Sequence, residues 1–160
     1  MTKLLGSLAL AAMTVAVAPE AAMAADGMPV EGSLAVNFTG TPISPGMVAI
    51  SANGIGELTN VGNLSFQLQK TLDTTVKVPT FSGTFTITAE NGDTLTGTYA
   101  GVTSGPDSNG FGIFSGQITV TVGTGRFQNA SGYVPFRAVA YSNAGVGQAV
   151  YSFKGVLQVQ

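Results

Sequence analysis

The chain has 160 residues, a formal net charge of −2, and charged side chains at only 9% of its positions. It contains no His and no Cys. This composition excludes a Ser-His-Asp triad, a thiol nucleophile, a disulfide, and the usual zinc, haem and iron–sulfur sites, so we expect no metal and no cofactor. Six Lys and Arg residues provide no basic surface for phosphates, so nucleic acid is not an expected partner. The length fits one domain.

The N-terminal segment has the pattern of an export signal. Lys3 precedes an uncharged apolar run over Leu4–Ala18, and Ala22–Ala24 provides small residues of the kind that a signal peptidase recognises. The run is shorter than the roughly 20 residues that span a bilayer. We therefore predict a signal peptide over residues 1–24, cleaved near Ala24, and one mature domain over 25–160. That domain would have no membrane span and would be exported to the periplasm or the exterior.

The rest of the chain alternates apolar and polar residues with a period of two. From Thr80 to Glu90 the odd positions are mostly apolar and the even positions are mostly Thr, which is typical of a strand with one buried face. Asn91–Asp93 then predicts a hairpin into a strand over 94–101. The segment 123–132 predicts a tight connection. Further strands are predicted at 33–39, 47–51, 54–60, 64–68, 114–122, 133–141 and 149–159.

This pattern predicts an all-β fold, either a barrel or a sandwich. Gly83, Gly97, Gly101 and Gly116 fall on the inward, apolar phase of their strands. Inward glycines relieve crowding where a sheet closes on itself, so they favour the barrel. We predict a closed antiparallel barrel of about eight strands. Because an open sheet edge invites aggregation, we expect either full closure or a homo-oligomer.

Three segments carry a resemblance to a known family. They are the glycine turn over Val122–Phe127 with the following Ala130–Gly132, the hairpin over Gly83–Asp93, and the closing strand over Ala149–Gly155. Together they resemble the allene oxide cyclase and dirigent barrel superfamily, in particular its exported bacterial members. The resemblance implies an allene-oxide-cyclase-like barrel of eight strands with an apolar interior, action on small apolar molecules, and a tendency to form oligomers. The family's catalytic residues do not align with positions of this chain, so we assign none.

Three side chains are candidates for ligand binding. Tyr99 lies on an inward phase, where its hydroxyl needs a partner, either in the protein or in a ligand. Arg126 lies in the glycine turn, where it either contacts an anion at a barrel mouth or is simply solvated. Arg137 interrupts an apolar strand, so it faces a subunit interface, the solvent or a ligand pocket.

Three functions are compatible with this reading of the sequence. The first is non-catalytic binding or shielding of a small apolar molecule, which an interior filled by aromatic side chains would argue against. The second is cyclase or dirigent-type steering of a reactive lipid or phenolic intermediate; an enzyme of this kind would be an isomerase. It requires at least two polar side chains converging inside the barrel. The third is a structural or surface-interaction module with a packed core, which an exposed apolar patch would favour.

Overall fold

The computed structural model describes residues 27–159, so the predicted signal peptide lies outside the described residues. Within this range the chain forms eight strands, with one short 3-10 turn at Gly125–Phe127 between the sixth and the seventh. The strands are β1 Gly27–Ser44, β2 Met47–Leu58, β3 Gly62–Asp73, β4 Thr80–Ala89, β5 Thr94–Thr103, β6 Phe111–Gly123, β7 Gly132–Asn143 and β8 Val146–Gln158.

The eight strands form a closed barrel. Each strand pairs antiparallel with the next, and β8 pairs with β1 from Gly27↔Gln158 to Thr39↔Val146. The predicted all-β class and the predicted closed antiparallel barrel are therefore confirmed. Closure leaves no unpaired strand edge in this sheet, so the fold avoids edge-to-edge aggregation without needing a second copy.

Two predicted strand details differ from the structure. Residues 47–51 and 54–60 were predicted as separate strands, but β2 is continuous because Asn53 and Gly54 pair with β3 at Gln67 and Phe66. Alternation from Phe114 along the predicted strand over 114–122 places Val122 on the inward phase, but in the structure its side chain is exposed. The β5–β6 register shifts between Thr96 and Gly97, and this irregularity reverses the facing of the last residues of β6.

The inward glycines allow neighbouring strands to approach closely. All four predicted positions lie on the inward side of their strands, and Gly101 faces Gly116 directly across the β5–β6 ladder. A Cβ atom at Gly83 would overlap the carbonyl oxygen of Gln69, and one at Gly97 would overlap that of Thr119. Only glycine fits there without moving the neighbouring backbone, which explains why these positions accompany closure.

The two ends of the barrel differ in how tightly they are packed. One end carries the connections β2–β3, β4–β5 and β6–β7, and it is filled by Leu58, Val61 and Phe127, each 1% exposed. We call this the closed end. The other end carries the four remaining connections, and its innermost side chains include Ile50 and Lys70. We call it the open end.

Candidate binding site at the open end of the barrel

Aromatic side chains fill the middle of the barrel. Tyr99 and Phe136 stack with ring centroids 4.7 Å apart, and Tyr151 packs 5.4 Å from Phe136 and 6.0 Å from Phe66. An inward space toward the open end, lined by Tyr151, Lys70 and Phe114 among others, has a volume of about 10 Å³. That volume holds about one water molecule. The expectation that a ligand is enclosed in the middle of the barrel is therefore not supported.

Two tyrosines form a buried pair among these rings. The Tyr99 hydroxyl donates to the Tyr151 hydroxyl at an O–O distance of 2.9 Å. Tyr99 therefore faces inward, as predicted, and its hydroxyl has a partner within the protein. Burial raises the pKa of both hydroxyls, and for Tyr99 the neighbouring Tyr151 raises it further. Both tyrosines stay neutral at physiological pH, because the charged form is poorly solvated there.

Lys70 points into the barrel between this pair and the open end. Its side chain lies on the inward side of β3 and is 6% exposed. The Nζ atom lies 4.1 Å from the ring centroid of Phe114, 4.5 Å from that of Phe81 and 5.2 Å from that of Tyr99. Neither of the two ion pairs found within residues 27–159 involves Lys70. The ammonium form is therefore stabilised mainly by aromatic faces.

Burial lowers the pKa of Lys70 from 10.5 to about 7. The physical cause is desolvation, which disfavours the ammonium form relative to the neutral amine. A titratable group perturbed in this way at a concave site is a candidate functional group.

Beside Lys70, the open end contains a small, partly enclosed space of about 10 Å³ that we call the cup. Its wall includes the small side chains of Ala140 on β7 and Ala149 on β8, which leave space that larger residues would fill. The remaining wall is mostly apolar and includes Phe38, Ile50 and Phe114. The cup therefore combines an apolar wall with one amine at its floor.

The other two predicted site residues lie elsewhere. Arg126 is at the closed end, where it donates to the carbonyl oxygen of Val61, lies 3.6 Å from the Asp93 carboxylate and covers the ring of Phe127. These contacts hold together the connections that close this end. Arg137 is exposed on the outer wall, in register with serines on β6 and β8. The structure does not bring Tyr99, Arg126 and Arg137 together.

Two interior polar residues, Lys70 and Tyr151, were not predicted from the sequence. Their positions were nevertheless visible in the pattern. Lys70 continues the inward series Leu64, Phe66 and Leu68 on β3, and Tyr151 lies on the inward phase of β8. A lysine on the apolar phase of a strand is the signal that identifies this site, because such a side chain must be buried or must stand at a mouth.

The outer wall carries an apolar row that crosses five neighbouring strands. Consecutive ladder partners run from Ile113 through Val139, Val150 and Ala35 to Ile55, and all five side chains face outward. The four large members are 46–70% exposed. Strands lie about 4.8 Å apart, so the row is roughly 19 Å long. We call it the apolar row.

Fold and site together define a small closed β-barrel with a packed aromatic interior and a cup at one end. No protein-family profile and no curated protein sequence matches the chain. The solved structures that match include a pterocarpan synthase dirigent protein. It is 15% identical, with a TM-score of 0.45, and the match covers 84% of this chain and 92% of that chain.

Within residues 27–159, no helix is long and apolar enough to cross a membrane. No cluster of three or more carboxylate, His or Cys side chains in the same range could hold a metal ion.

Proposed function

We propose that the protein is a non-catalytic binding protein that holds a small apolar molecule in the cup. The observation behind this proposal is the Lys70 amine, which is buried next to the apolar wall of the cup and has no carboxylate partner among residues 27–159. A ligand that covers the partly exposed rings of Phe38 and Phe114 at the mouth of the cup gains roughly 25 cal/mol for each Å² of apolar surface removed from water, before ordering costs. The amine offers one polar contact that orients such a ligand.

Steering of a reactive intermediate receives partial support from the same residues. Three polar side chains, Tyr99, Tyr151 and Lys70, converge inside the barrel, and this convergence is what a cyclase or dirigent-type function requires. The cup does not enclose a ligand, because its free space holds about one water molecule and a ligand can contact it only from the mouth. A lipid or phenolic intermediate does not fit within it, so we favour binding at the cup over steering.

We also propose that the protein is exported. It is supported by the apolar run over Leu4–Ala18 and the small residues at Ala22–Ala24. After cleavage near Ala24, the barrel would meet its ligand in the periplasm or outside the cell.

Binding at the cup is tested by titrating the purified protein with hexan-1-ol and following side-chain methyl signals by NMR. We expect the largest shifts at Ile50, Ala140 and Ala149, and none at Leu157 of the closed end. Ala149→Leu should abolish the shifts by filling the cup. The matched control Val150→Leu changes the next residue, on the outer wall, and should leave them unchanged. Shifts confined to the outer wall, or no saturable shifts, would overturn the proposal.

The apolar row favours a second candidate function, self-association of the barrel. Exposed contiguous apolar surface marks interaction sites, and the row is extended and uncharged. A second copy would cover the middle of the row, around Val150, with the same part of its own row, as in a two-fold interface. In sedimentation velocity, Val150→Lys should convert an oligomer to monomer, whereas Thr84→Lys on the outside of β4 should not. A monomeric parent protein at all concentrations would exclude this function.

A further inference from the structure

Lys70 is chemically unlike the other two lysines of residues 27–159. Lys77 is exposed in the β3–β4 connection, and Lys154 is exposed and lies 3.4 Å from Glu31. Lys70 is 6% exposed and is surrounded by aromatic rings from β4, β5 and β6. The titratable side chains that share this interior are Tyr99 on β5 and Tyr151 on β8, and both are neutral.

The surroundings of Lys70 favour an uncharged nitrogen. Aromatic faces stabilise an ammonium only partly, and a chemical change that removes the charge also removes the desolvation penalty. With a pKa of about 7, about half of the Lys70 side chains carry a free lone pair at pH 7, compared with about one in three thousand for an ordinary lysine. A lysine desolvated in an apolar pocket is an activated amine nucleophile.

Resting on the proposed function, we propose that the Lys70 amine captures apolar aldehydes in the cup as a reversible imine. The nitrogen lone pair forms a bond to the carbonyl carbon, and the π electrons of the carbonyl group move to its oxygen. That oxygen gains protons and leaves as water, while the nitrogen gives up its two protons. The balance is amine plus aldehyde to imine plus water, so no oxidant or reductant is needed.

The small volume of the cup limits which carbonyl compounds can reach the Lys70 amine. The free space beside the amine is small, about 10 Å³ or roughly one water molecule, so a carbonyl carbon with one carbon substituent is favoured over that of a ketone with two. The tail of the aldehyde would extend toward solvent along Phe38, Ile50 and Ala149. This geometry assigns the ligand class as unbranched apolar aldehydes.

The test is reductive trapping with hexanal and cyanoborohydride at pH 7, followed by intact-mass measurement and peptide mapping. We expect one addition, equal in mass to hexanal minus one oxygen atom, located on Lys70 and formed at least about 10-fold faster than on Lys77 or Lys154. Lys70→Met should remove the fast addition, and Lys77→Met should retain it. In the unaltered protein, excess hexan-1-ol should slow trapping at Lys70 only, and this result does not depend on the folding of any variant.

The pH profile separates an activated amine from a merely accessible one. The advantage of Lys70 over an ordinary lysine in trapping should be largest near pH 7 and should shrink toward pH 10, because Lys70 gains little more free amine above its pKa of about 7. If the three lysines were trapped at equal rates, the proposal that Lys70 forms an imine in the cup would be wrong. If hexan-1-ol still changes the NMR shifts of the methyl groups that line the cup, the proposed binding function stands even though the imine proposal fails. If the shifts are also absent, both proposals fail.

Discussion

The free energy of unfolding is expected to rise by up to about 4 kcal/mol between pH 7 and pH 10. Lys70 has a pKa of about 7 in the folded protein and an ordinary value of 10.5 when unfolded. Across this window the unfolded chain holds a proton that the folded chain has released, so stability increases with pH by about 1.4 kcal/mol for each unit. Below pH 7 both states bind the proton, and this contribution no longer changes.

Above pH 10 the trend should reverse. Burial raises the pKa of Tyr99 and Tyr151 in the folded state, whereas tyrosines in the unfolded chain ionise near pH 10. Unfolding then releases protons, so stability falls as the pH rises further. The chain has no His and no Cys, so no other side chain with an ordinary pKa between 6 and 9 obscures the part of the window below pH 9.

Urea denaturation followed by circular dichroism at pH 7, 8, 9 and 10 measures this effect. Lys70→Met removes the buried charge and retains an unbranched side chain, so it should be more stable than the parent at pH 7 and should lose the rise. Lys77→Met, which changes an exposed lysine, should keep the rise. A parent protein whose stability is flat from pH 7 to pH 10 would show that Lys70 is hydrated or charged in the folded state.

The fold was predictable because its determinants are local. Alternation on β4 and β5 and the Asn91–Asp93 hairpin each involve residues that are close in sequence. Where the prediction was wrong, a long-range contact decided the outcome. Residues Asn53 and Gly54 are typical of a turn, yet ladder bonds to β3 keep β2 continuous there.

The site was predictable only in part, because it depends on which strands meet across the barrel. Tyr99 was identified from the phase of β5, but its hydroxyl partner Tyr151 is 52 residues away in the chain and comes from β8. Period-two alternation shows that a side chain faces inward, but not how far it lies from either end. The distinction between Lys70 near the open end and Arg126 at the closed end therefore needed the register of all eight strands.

The Gly97→Ala variant should lose about 3 kcal/mol of stability, the upper end of the usual cost of overpacking, or fail to fold. An added Cβ would overlap the carbonyl oxygen of Thr119 and would also press on Phe85, whose ring lies 3.1 Å from the position of that Cβ. The overlapping atom belongs to the backbone of β6, so relief requires the β5–β6 ladder to separate beside the register shift that follows Thr96. Chemical denaturation, together with a circular dichroism spectrum of the native state, measures the loss.

Gly40→Ala is the matched control for this steric argument. Both substitutions reduce the conformational entropy of the unfolded chain to the same extent, which by itself stabilises a protein by roughly 0.4–1 kcal/mol. A Cβ at Gly40 would lie 3.1 Å from a Val48 methyl group and 3.8 Å from the nearest backbone oxygen, that of Gly145, so a small side-chain movement relieves it. The control should therefore stay within about 1 kcal/mol of the parent. Equal effects of the two substitutions would mean that closure does not depend on inward glycines, whereas a large difference would identify close strand approach as the reason that this barrel carries glycine in its interior.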